Sequence, residues 1–190
     1  MNLIHRYYCR SRLWQRHLAG LLPWATDGVP LPGARVLELG SGPGQSTDWL
    51  RSRVGSLTAV EYDAADATAL AKRLPDVDVI HGDGTALPFP AGTFDVVVCF
   101  TVLHHVPTAT LQDRLFAEAR RVLAPGGTFA GSDSRWGPLF ALAHLGDVLQ
   151  LVDPDTLSMR LTTAGLVDAT VSRRRSSFRF RSAAPAEPES

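Results

Sequence analysis

Apolar and polar positions along this chain follow two alternating periods, and that alternation predicts strands separated by helices. Five short apolar runs read as buried strands: residues 34–39, 56–62, 77–83, 94–100 and 128–133. Apolar residues recurring at helical spacing predict the intervening helices: residues 45–54, 64–74 and 108–123. Such alternation is typical of a parallel, doubly wound α/β sheet with helices on both faces.

The two ends of the chain extend this core. Residues 3–25 carry Leu, Trp and Tyr at helical spacing among Arg and His, which predicts an amphipathic helix. Near the other end the pattern predicts helices over 138–152 and 155–165, then a hairpin of strands 167–174 and 176–182. The whole pattern predicts a Rossmann-like, mostly parallel seven-stranded sheet with an antiparallel C-terminal strand.

Three segments follow from this pattern. We expect residues 1–30 to form a helical lid and residues 31–182 to form a single domain. The tail, residues 183–190, is rich in Pro, Ala and Glu, and its composition predicts disorder.

Composition narrows the choice of partners and compartment. The 190-residue chain has 19 Lys plus Arg and 19 Asp plus Glu, so there is no basic excess for a nucleic-acid partner. The chain lacks an apolar run long enough to span a membrane, and its first residues lack the apolar core of a signal peptide. Cys9 and Cys99 are expected to be free thiols in a reducing cytoplasm. A homodimer is compatible with the sequence.

A glycine-rich stretch gives the first indication of chemistry. "VLELGSGPGQST" (residues 36–47) places Gly40, Gly42 and Gly44 directly after the first strand and before a helix. Such a turn lets a ligand approach the backbone closely, which favours a nucleotide-like ligand. The spacing is G-x-G-x-G and not the G-x-G-x-x-G of dinucleotide-binding folds.

The end of the second strand carries an acidic residue. Glu61 lies there, and a carboxylate in that position can accept both hydroxyl protons of a ribose. This fits an adenosyl ligand with a free 2′-OH and disfavours a 2′-phosphate, which the anion would repel.

Four separated stretches lie in order over residues 35–133: "VLELGSGPG", "AVEY", "GDGTALPFPAGTFDVVVCFTVLHHV" and "EARRVLAPGGTFAGSD". In order and spacing they resemble class I S-adenosylmethionine (SAM)-dependent methyltransferases of the small-molecule type. The resemblance implies in-line methyl transfer from SAM, with S-adenosylhomocysteine as product, to an O, N or C atom of a metabolite, quinone, lipid-like or natural-product acceptor.

The same resemblance implies a binding role for particular residues. Glu38 and the glycine loop would hold the methionine half of SAM, and Glu61 would bind its ribose. Tyr62 would lie against the adenine, Asp83 would accept from its amino group, and Phe100 and Thr101 would line the methionine end. The implied cofactor-binding residues are Glu38, Gly40, Ser41, Gly42, Gly44, Glu61, Tyr62, Asp83, Gly84, Phe100 and Thr101.

A general base is needed only when the acceptor must lose a proton. His104 and His105 follow the fourth strand, beside the expected methyl group, and histidine ionises near neutral pH. Some phosphobase methyltransferases use a histidine matching His105, which is therefore the candidate catalytic residue. A packing role for both histidines stays open, and no spacing indicates a metal site.

Two other classes of protein remain open. An NAD-dependent oxidoreductase would need the longer glycine spacing and a catalytic Tyr–Lys or similar pair, whereas the only lysine, Lys72, lies in the helix after the second strand. A non-catalytic SAM-binding module, acting as a regulator or partner, would carry the same binding motifs.

Overall fold

The structure, a computed structural model, describes residues 11–137, 140 and 146–187. Its strands in this part of the chain are β1 (Arg35–Leu39), β2 (Ser56–Glu61), β3 (Asp78–His81), β4 (Phe94–Phe100), β5 (Leu123–Ser134), β6 (Val167–Arg173) and β7 (Ser177–Ala183). They form one sheet in the order β3-β2-β1-β4-β5-β7-β6. The first five pair in parallel, whereas β7 runs antiparallel to both β5 and β6. The predicted fold class is confirmed.

Helices cover the two faces of this sheet. Within the described residues they are α1 (Arg12–Ala25), α2 (Gln45–Leu50), α3 (Ala64–Arg73), α4 (Ala109–Val122) and α5 (Pro154–Thr163), with a 3₁₀ turn at Leu103–His105. Ser11 caps α1 by accepting the Trp14 N–H at 3.1 Å, and residues 3–10 of the predicted helix lie outside the described residues. None of the helices in the described ranges is long and apolar enough to cross a bilayer.

Strand β4 forms the centre of the core because both of its faces are covered. Val96 and Val98 pack in a cluster with residues of α1, α2 and α3, whereas Val97 and Cys99 pack in a second cluster with α4 and α5. All four side chains are fully buried. This explains the unbroken apolar run of β4, which is typical of a strand buried on both faces.

Strand β5 is longer than the pattern predicts. It begins at Leu123, which pairs with Phe94, and the register shifts before pairing resumes between Thr128 and Val96. The predicted start was residue 128, because Pro and Gly in "APGG" (124–127) indicate a turn. Here those residues are accommodated as an irregularity within the strand.

The helix predicted over 138–152 is wrong in its described C-terminal part. Residues 146–147 form a turn and a bend, residues 148–152 have no regular secondary structure, and Gly146 has a φ of +80°. The Gln150 N–H donates to the His104 carbonyl, and the Gln112 amide donates to the Gln150 carbonyl. These tertiary hydrogen bonds replace helical ones. Residues 138–139 and 141–145 of the prediction lie outside the described residues.

The ends of the predicted domain meet the sheet as follows. Strand β7 runs one residue past 182, and Ala184 is buried with its N–H donating to the Gly127 carbonyl. At the other end, Leu18, Leu21 and Leu22 of α1 are buried in the core cluster beside β1. The proposed boundaries of lid, domain and tail stay predictions.

Candidate active site

A cleft of about 1950 Å³ opens above the carboxyl ends of the parallel strands. The sheet order places β2 and β4 on opposite sides of β1. The chain that follows β1 and the chain that follows β4 therefore cross opposite faces of the sheet. Ligands bind at such switch points in open α/β sheets. The cleft is lined by residues that follow β1, β2, β3, β4 and β5, and by one side of α1.

The glycine loop forms one wall of the cleft, and its backbone admits only glycine at two positions. Gly40 has a φ of +71°, and a Cβ added there would lie 2.5 Å from a methyl group of Val102. Gly44 has a φ of +83° and begins α2, and its Cβ would collide with Leu70. A side chain at either position would strain the backbone and push the loop away from its neighbours.

Glu61 is fixed at the cleft by two backbone hydrogen bonds. One carboxylate oxygen accepts the Gly42 N–H at 2.6 Å, and the other accepts the Asp63 N–H at 2.9 Å. Burial raises the pKa of this carboxyl, and the two backbone N–H groups oppose that rise. Glu61 therefore ties the glycine loop to the end of β2, and it lines the cleft.

Glu38 lies behind the loop, away from the cleft lining. Its side chain is 1% exposed, and one carboxylate oxygen accepts the Thr47 hydroxyl at 2.6 Å. The other oxygen is buried without a hydrogen-bond partner. Burial raises the pKa of Glu38 to about 7, although the nearby side chains of Ser46 and Thr47 oppose the rise.

The raised pKa of Glu38 predicts a pH-dependent stability. Glu38 binds its proton more tightly in the folded state, so its contribution to the unfolding free energy falls as pH rises from about 4.5 to about 7. Over this pH range the unfolding free energy should fall by about 3 kcal/mol through Glu38. Urea unfolding should show that Glu38→Gln flattens this pH profile, because glutamine does not titrate. Its amide oxygen can still accept from Thr47, so the fold should be kept. An unchanged slope in Glu38→Gln, or the same flattening in the exposed-site control Asp76→Asn, would contradict the assignment.

The remaining predicted cofactor residues surround the same cleft. Tyr62 is 76% exposed after β2, and an Asp83 carboxylate oxygen accepts the Thr85 N–H at 2.8 Å after β3. Thr101 has a φ of +56°, held by its N–H donating to the Ser132 carbonyl at 2.7 Å. Such strain persists where the surrounding structure enforces it, often at functional sites. Ten of the twelve predicted site residues line the cleft: Gly40, Ser41, Gly42, Glu61, Tyr62, Asp83, Gly84, Phe100, Thr101 and His105. Glu38 and Gly44 do not.

A buried histidine–aspartate pair lies at the other end of the cleft. His104 is 2% exposed and Asp133 is 1% exposed, with His104 Nδ1 and Asp133 Oδ1 2.5 Å apart. The His104 and His105 rings are neighbours, with centroids 4.1 Å apart. Sequence reasoning did not join His104 to Asp133. The available signal was that both follow the carboxyl ends of adjacent strands, β4 and β5.

The two ends of the cleft differ in character. Above β2 and β3 it is lined by carboxylates: Glu61, Asp63, Asp66 and Asp83. Above β4 and β5 and beside α1, aromatic rings replace them: Trp14, Trp136 and Phe140. The basic side chains in the lining, Arg135 and Arg175, lie after β5 and beside β7, away from the glycine loop. Carboxylates around a glycine loop suit a cation with ribose hydroxyls better than a diphosphate. This donor set therefore fits SAM.

The comparisons with known proteins agree with this geometry. A family model described as a methyltransferase domain matches residues 37–131, half of the chain. Demethylmenaquinone methyltransferase of Renibacterium salmoninarum is 33% identical over 118 residues, which cover 62% of this chain and 46% of that protein. Phthiotriol/phenolphthiotriol dimycocerosates methyltransferase of Mycobacterium tuberculosis is 36% identical over 111 residues, 56% of this chain and 40% of that protein.

A solved structure shows the same fold with the reaction product bound. It is a phosphoethanolamine N-methyltransferase of Haemonchus contortus in complex with S-adenosylhomocysteine, with a TM-score of 0.73 and 15% identity over 90% of this chain and 52% of that one. The match to the curated relatives spans less than half of their length.

The sheet order, the glycine loop and the carboxylates beside it define a Rossmann-like SAM-binding domain. With the matched family model, the chain belongs to the class I SAM-dependent methyltransferases. Its cofactor is SAM.

Proposed function

We propose that this chain transfers the methyl group of SAM to a small, apolar-to-amphipathic acceptor. The observation that carries this proposal is the single cleft that joins a carboxylate-lined end to an aromatic and histidine-lined end. One end suits a cationic adenosyl ligand. The other end suits an acceptor with an apolar body, placed beside the reactive methyl group.

The residues proposed to hold SAM act at three places. Gly40, Ser41 and Gly42 bind the methionine part, with Glu38 and Gly44 supporting the loop from behind. Glu61 accepts from the ribose hydroxyls with the lone pairs that its two backbone hydrogen bonds leave available. Around the rest of the ligand stand Tyr62, Asp83, Gly84, Phe100 and Thr101.

The chain has little covalent chemistry to perform. Bound SAM supplies an electrophilic methyl group on a positively charged sulfur. The residues around it align the acceptor and exclude water, which can supply most of the rate acceleration. The aromatic side chains Trp14 and Trp136 contribute apolar walls at the acceptor end.

The acceptor class is inferred from the lining and from the relatives. Trp136 is 68% exposed although it lines the cleft, so a bound acceptor would bury its ring. The two curated relatives are named for demethylmenaquinone and for phthiotriol dimycocerosates, a quinone and a lipid. We infer an acceptor of similar apolar character, with no nucleic acid involved. His105 stays the sequence-based candidate for a base.

Methyl transfer can be tested without knowing the acceptor. Mass spectrometry of the denatured purified protein should show co-purified SAM or S-adenosylhomocysteine. Methyl-tritiated SAM incubated with a panel of quinols, phenols, amines and lipid alcohols should label at least one apolar acceptor. Binding of SAM with no acceptor labelled would favour a non-catalytic module, and selective binding of NAD would refute the cofactor assignment.

A further inference from the structure

Two arginine residues line the acceptor end of the cleft. Arg135 lies just after β5, and Arg175 lies in the connection between β6 and β7. Both residues are exposed. Backbone pairing holds the two segments together, because the Arg135 N–H donates to the Ser176 carbonyl at 2.9 Å. The two arginines therefore belong to one part of the cleft wall.

The arginines that precede Arg175 in the chain are engaged elsewhere. Arg173 forms an ion pair with Asp155. The Arg174 guanidinium lies over the Trp24 ring, 4.1 Å from its centroid. Neither of these two arginines lines the cleft. Each contributes a contact within the fold that needs no ligand.

Arg135 and Arg175 have no acidic partner among the residues that the structure describes. The Arg135 guanidinium donates to the Arg174 carbonyl at 3.2 Å, a neutral acceptor that leaves its charge uncompensated. Residues 1–10 and 138–145, which adjoin lining segments in sequence, contain no Asp or Glu. A guanidinium has five N–H donors, and their planar fork suits the paired oxygen atoms of a carboxylate or a phosphate.

Charge and apolar surface are separated along the cleft. Trp136 follows Arg135 directly and is 68% exposed, and Trp14 of α1 also lines this end. The carboxylates of Glu61 and Asp83 line the other end, beside the glycine loop. They would repel an anionic group that the arginines attract. An apolar body over the tryptophan rings would also displace water and strengthen the ion pairs, because charges interact more strongly at low dielectric.

We propose that Arg135 and Arg175 form a subsite for an anionic group of the acceptor, a carboxylate or a phosphate remote from the methylated atom. The inference rests on the proposed methyl transfer and narrows its substrate class. The acceptor is an amphipathic anion, with an apolar body between its charged group and the atom that receives the methyl group. The two arginines bind and orient this molecule and take no part in the transfer itself.

The first test uses two fluorescent compounds of related scaffold and needs no acceptor. Anilinonaphthalene sulfonate is an apolar anion, and phenylnaphthylamine is its neutral counterpart. Each is titrated into protein saturated with S-adenosylhomocysteine. The double variant Arg135→Gln/Arg175→Gln should bind the sulfonate about tenfold more weakly or worse, because two charged donors are lost. Its affinity for the neutral compound should change by about twofold or less, because apolar burial is unaffected.

Adjacent arginines supply the matched control. Arg175→Gln alone should weaken sulfonate binding by about threefold or more, whereas Arg174→Gln removes the same charge one residue away and should change it by less than about twofold. All of these sites are exposed, so the melting temperatures should match that of the wild type. Equal losses in Arg174→Gln and Arg175→Gln would show general charge attraction and refute the subsite.

The second test uses turnover. Long-chain hydroxyphenyl alkanoic acids are compared with their primary amides, which keep the phenol and the apolar chain but lack the negative charge. The double variant should raise KM for the acids by about tenfold and change kcat by about threefold or less, because the arginines act in binding. KM for the amides should stay within about twofold of the wild-type value.

Three results would overturn the subsite. The first is unchanged sulfonate affinity in the double variant. The second is a loss of S-adenosylhomocysteine affinity in that variant, which would assign the arginines to the carboxylate of the cofactor. The third is sedimentation of the wild type, but not of the double variant, with phosphatidylglycerol vesicles while sulfonate binding is the same in both. That result would assign the arginines to a membrane surface.

Failure of the proposed function is distinguishable from these results. A wild-type chain that labels no acceptor in the tritium assay would refute methyl transfer, and the acceptor assignment would fall with it. The sulfonate titration does not depend on turnover, so it would still decide whether the two arginines bind an anion.

Discussion

Replacing Glu61 with alanine should weaken SAM binding by about tenfold or more. The carboxylate lines the cleft, and its two backbone hydrogen bonds hold it in place beside the glycine loop. Hydrogen bonds from ribose hydroxyls to an ionised carboxylate are each worth about 1.5–3 kcal/mol, and 1.4 kcal/mol corresponds to a tenfold change in affinity. Isothermal titration with SAM and with S-adenosylhomocysteine measures this loss.

Two control variants separate ribose binding from loop support. Glu61→Gln can still accept the Gly42 N–H, so a large loss of affinity in this variant points to the ribose and not to the loop. Asp76→Ala removes an exposed carboxylate that lies away from the cleft and pairs with Arg51 at a distance of 2.8 Å. This variant should leave SAM affinity unchanged. An unaltered dissociation constant for Glu61→Ala, with the fold intact, would disprove the ribose assignment.

A methyl group on Gly131 should destabilise the fold by about 3 kcal/mol. Gly131 lies in β5 between β4 and β7, and a Cβ there would collide with the Cys99 carbonyl and lie 2.8 Å from the Phe180 ring. Because Phe180 is fully buried and the carbonyl belongs to the central strand, neither can move aside without disturbing the sheet. For a chain of this size we expect the melting temperature of Gly131→Ala to fall by roughly 6–12 °C.

Gly20→Ala is the matched control for this variant. Gly20 lies within α1, and a Cβ added there meets nothing within 4 Å. Alanine is favoured over glycine in a helix interior by up to about 1 kcal/mol, so this variant should be as stable as the wild type or slightly more so. Equal melting temperatures for Gly131→Ala and the wild type would show that β5 and β7 can separate to admit a side chain.

The strands were predictable because burial of a strand requires the same apolar pattern whichever side chains pack against it. β4 is apolar at consecutive positions, since two core clusters cover its two faces, and any sheet that buries it this way requires the same pattern. The strand after α4 was placed too late. Pro125, Gly126 and Gly127 are typical turn residues, and only pairing between Leu123 and Phe94 draws that segment into β5.

The prediction for the segment after β5 erred in the opposite direction, since it gave regular structure to residues that do not form it. Its apolar residues predicted a helix over 138–152, but Gln112 and His104 bind the backbone of Gln150 and hold residues 146–152 in another conformation. Local propensity gives way when tertiary hydrogen bonds satisfy the backbone better.

The candidate site divides in the same manner. Gly40, Gly44 and Glu61 could be identified from the sequence because their roles depend on local geometry: a turn without side chains after β1, and an acid where β2 ends. His104 and Asp133 are 29 residues apart, and nothing local connects them.

The sequence by itself determined the class of fold and, through its resemblance to a known family over four spaced motifs, the cofactor, since hydrophobic period and motif spacing are local properties of the chain. The tertiary structure decided which carboxylate faces which ring. Only the parallel pairing of β4 with β5 places Asp133 against His104, and only burial distinguishes Glu38, behind the loop, from Glu61, at the cleft. Distances between residues far apart in sequence depend on packing, which no local pattern encodes.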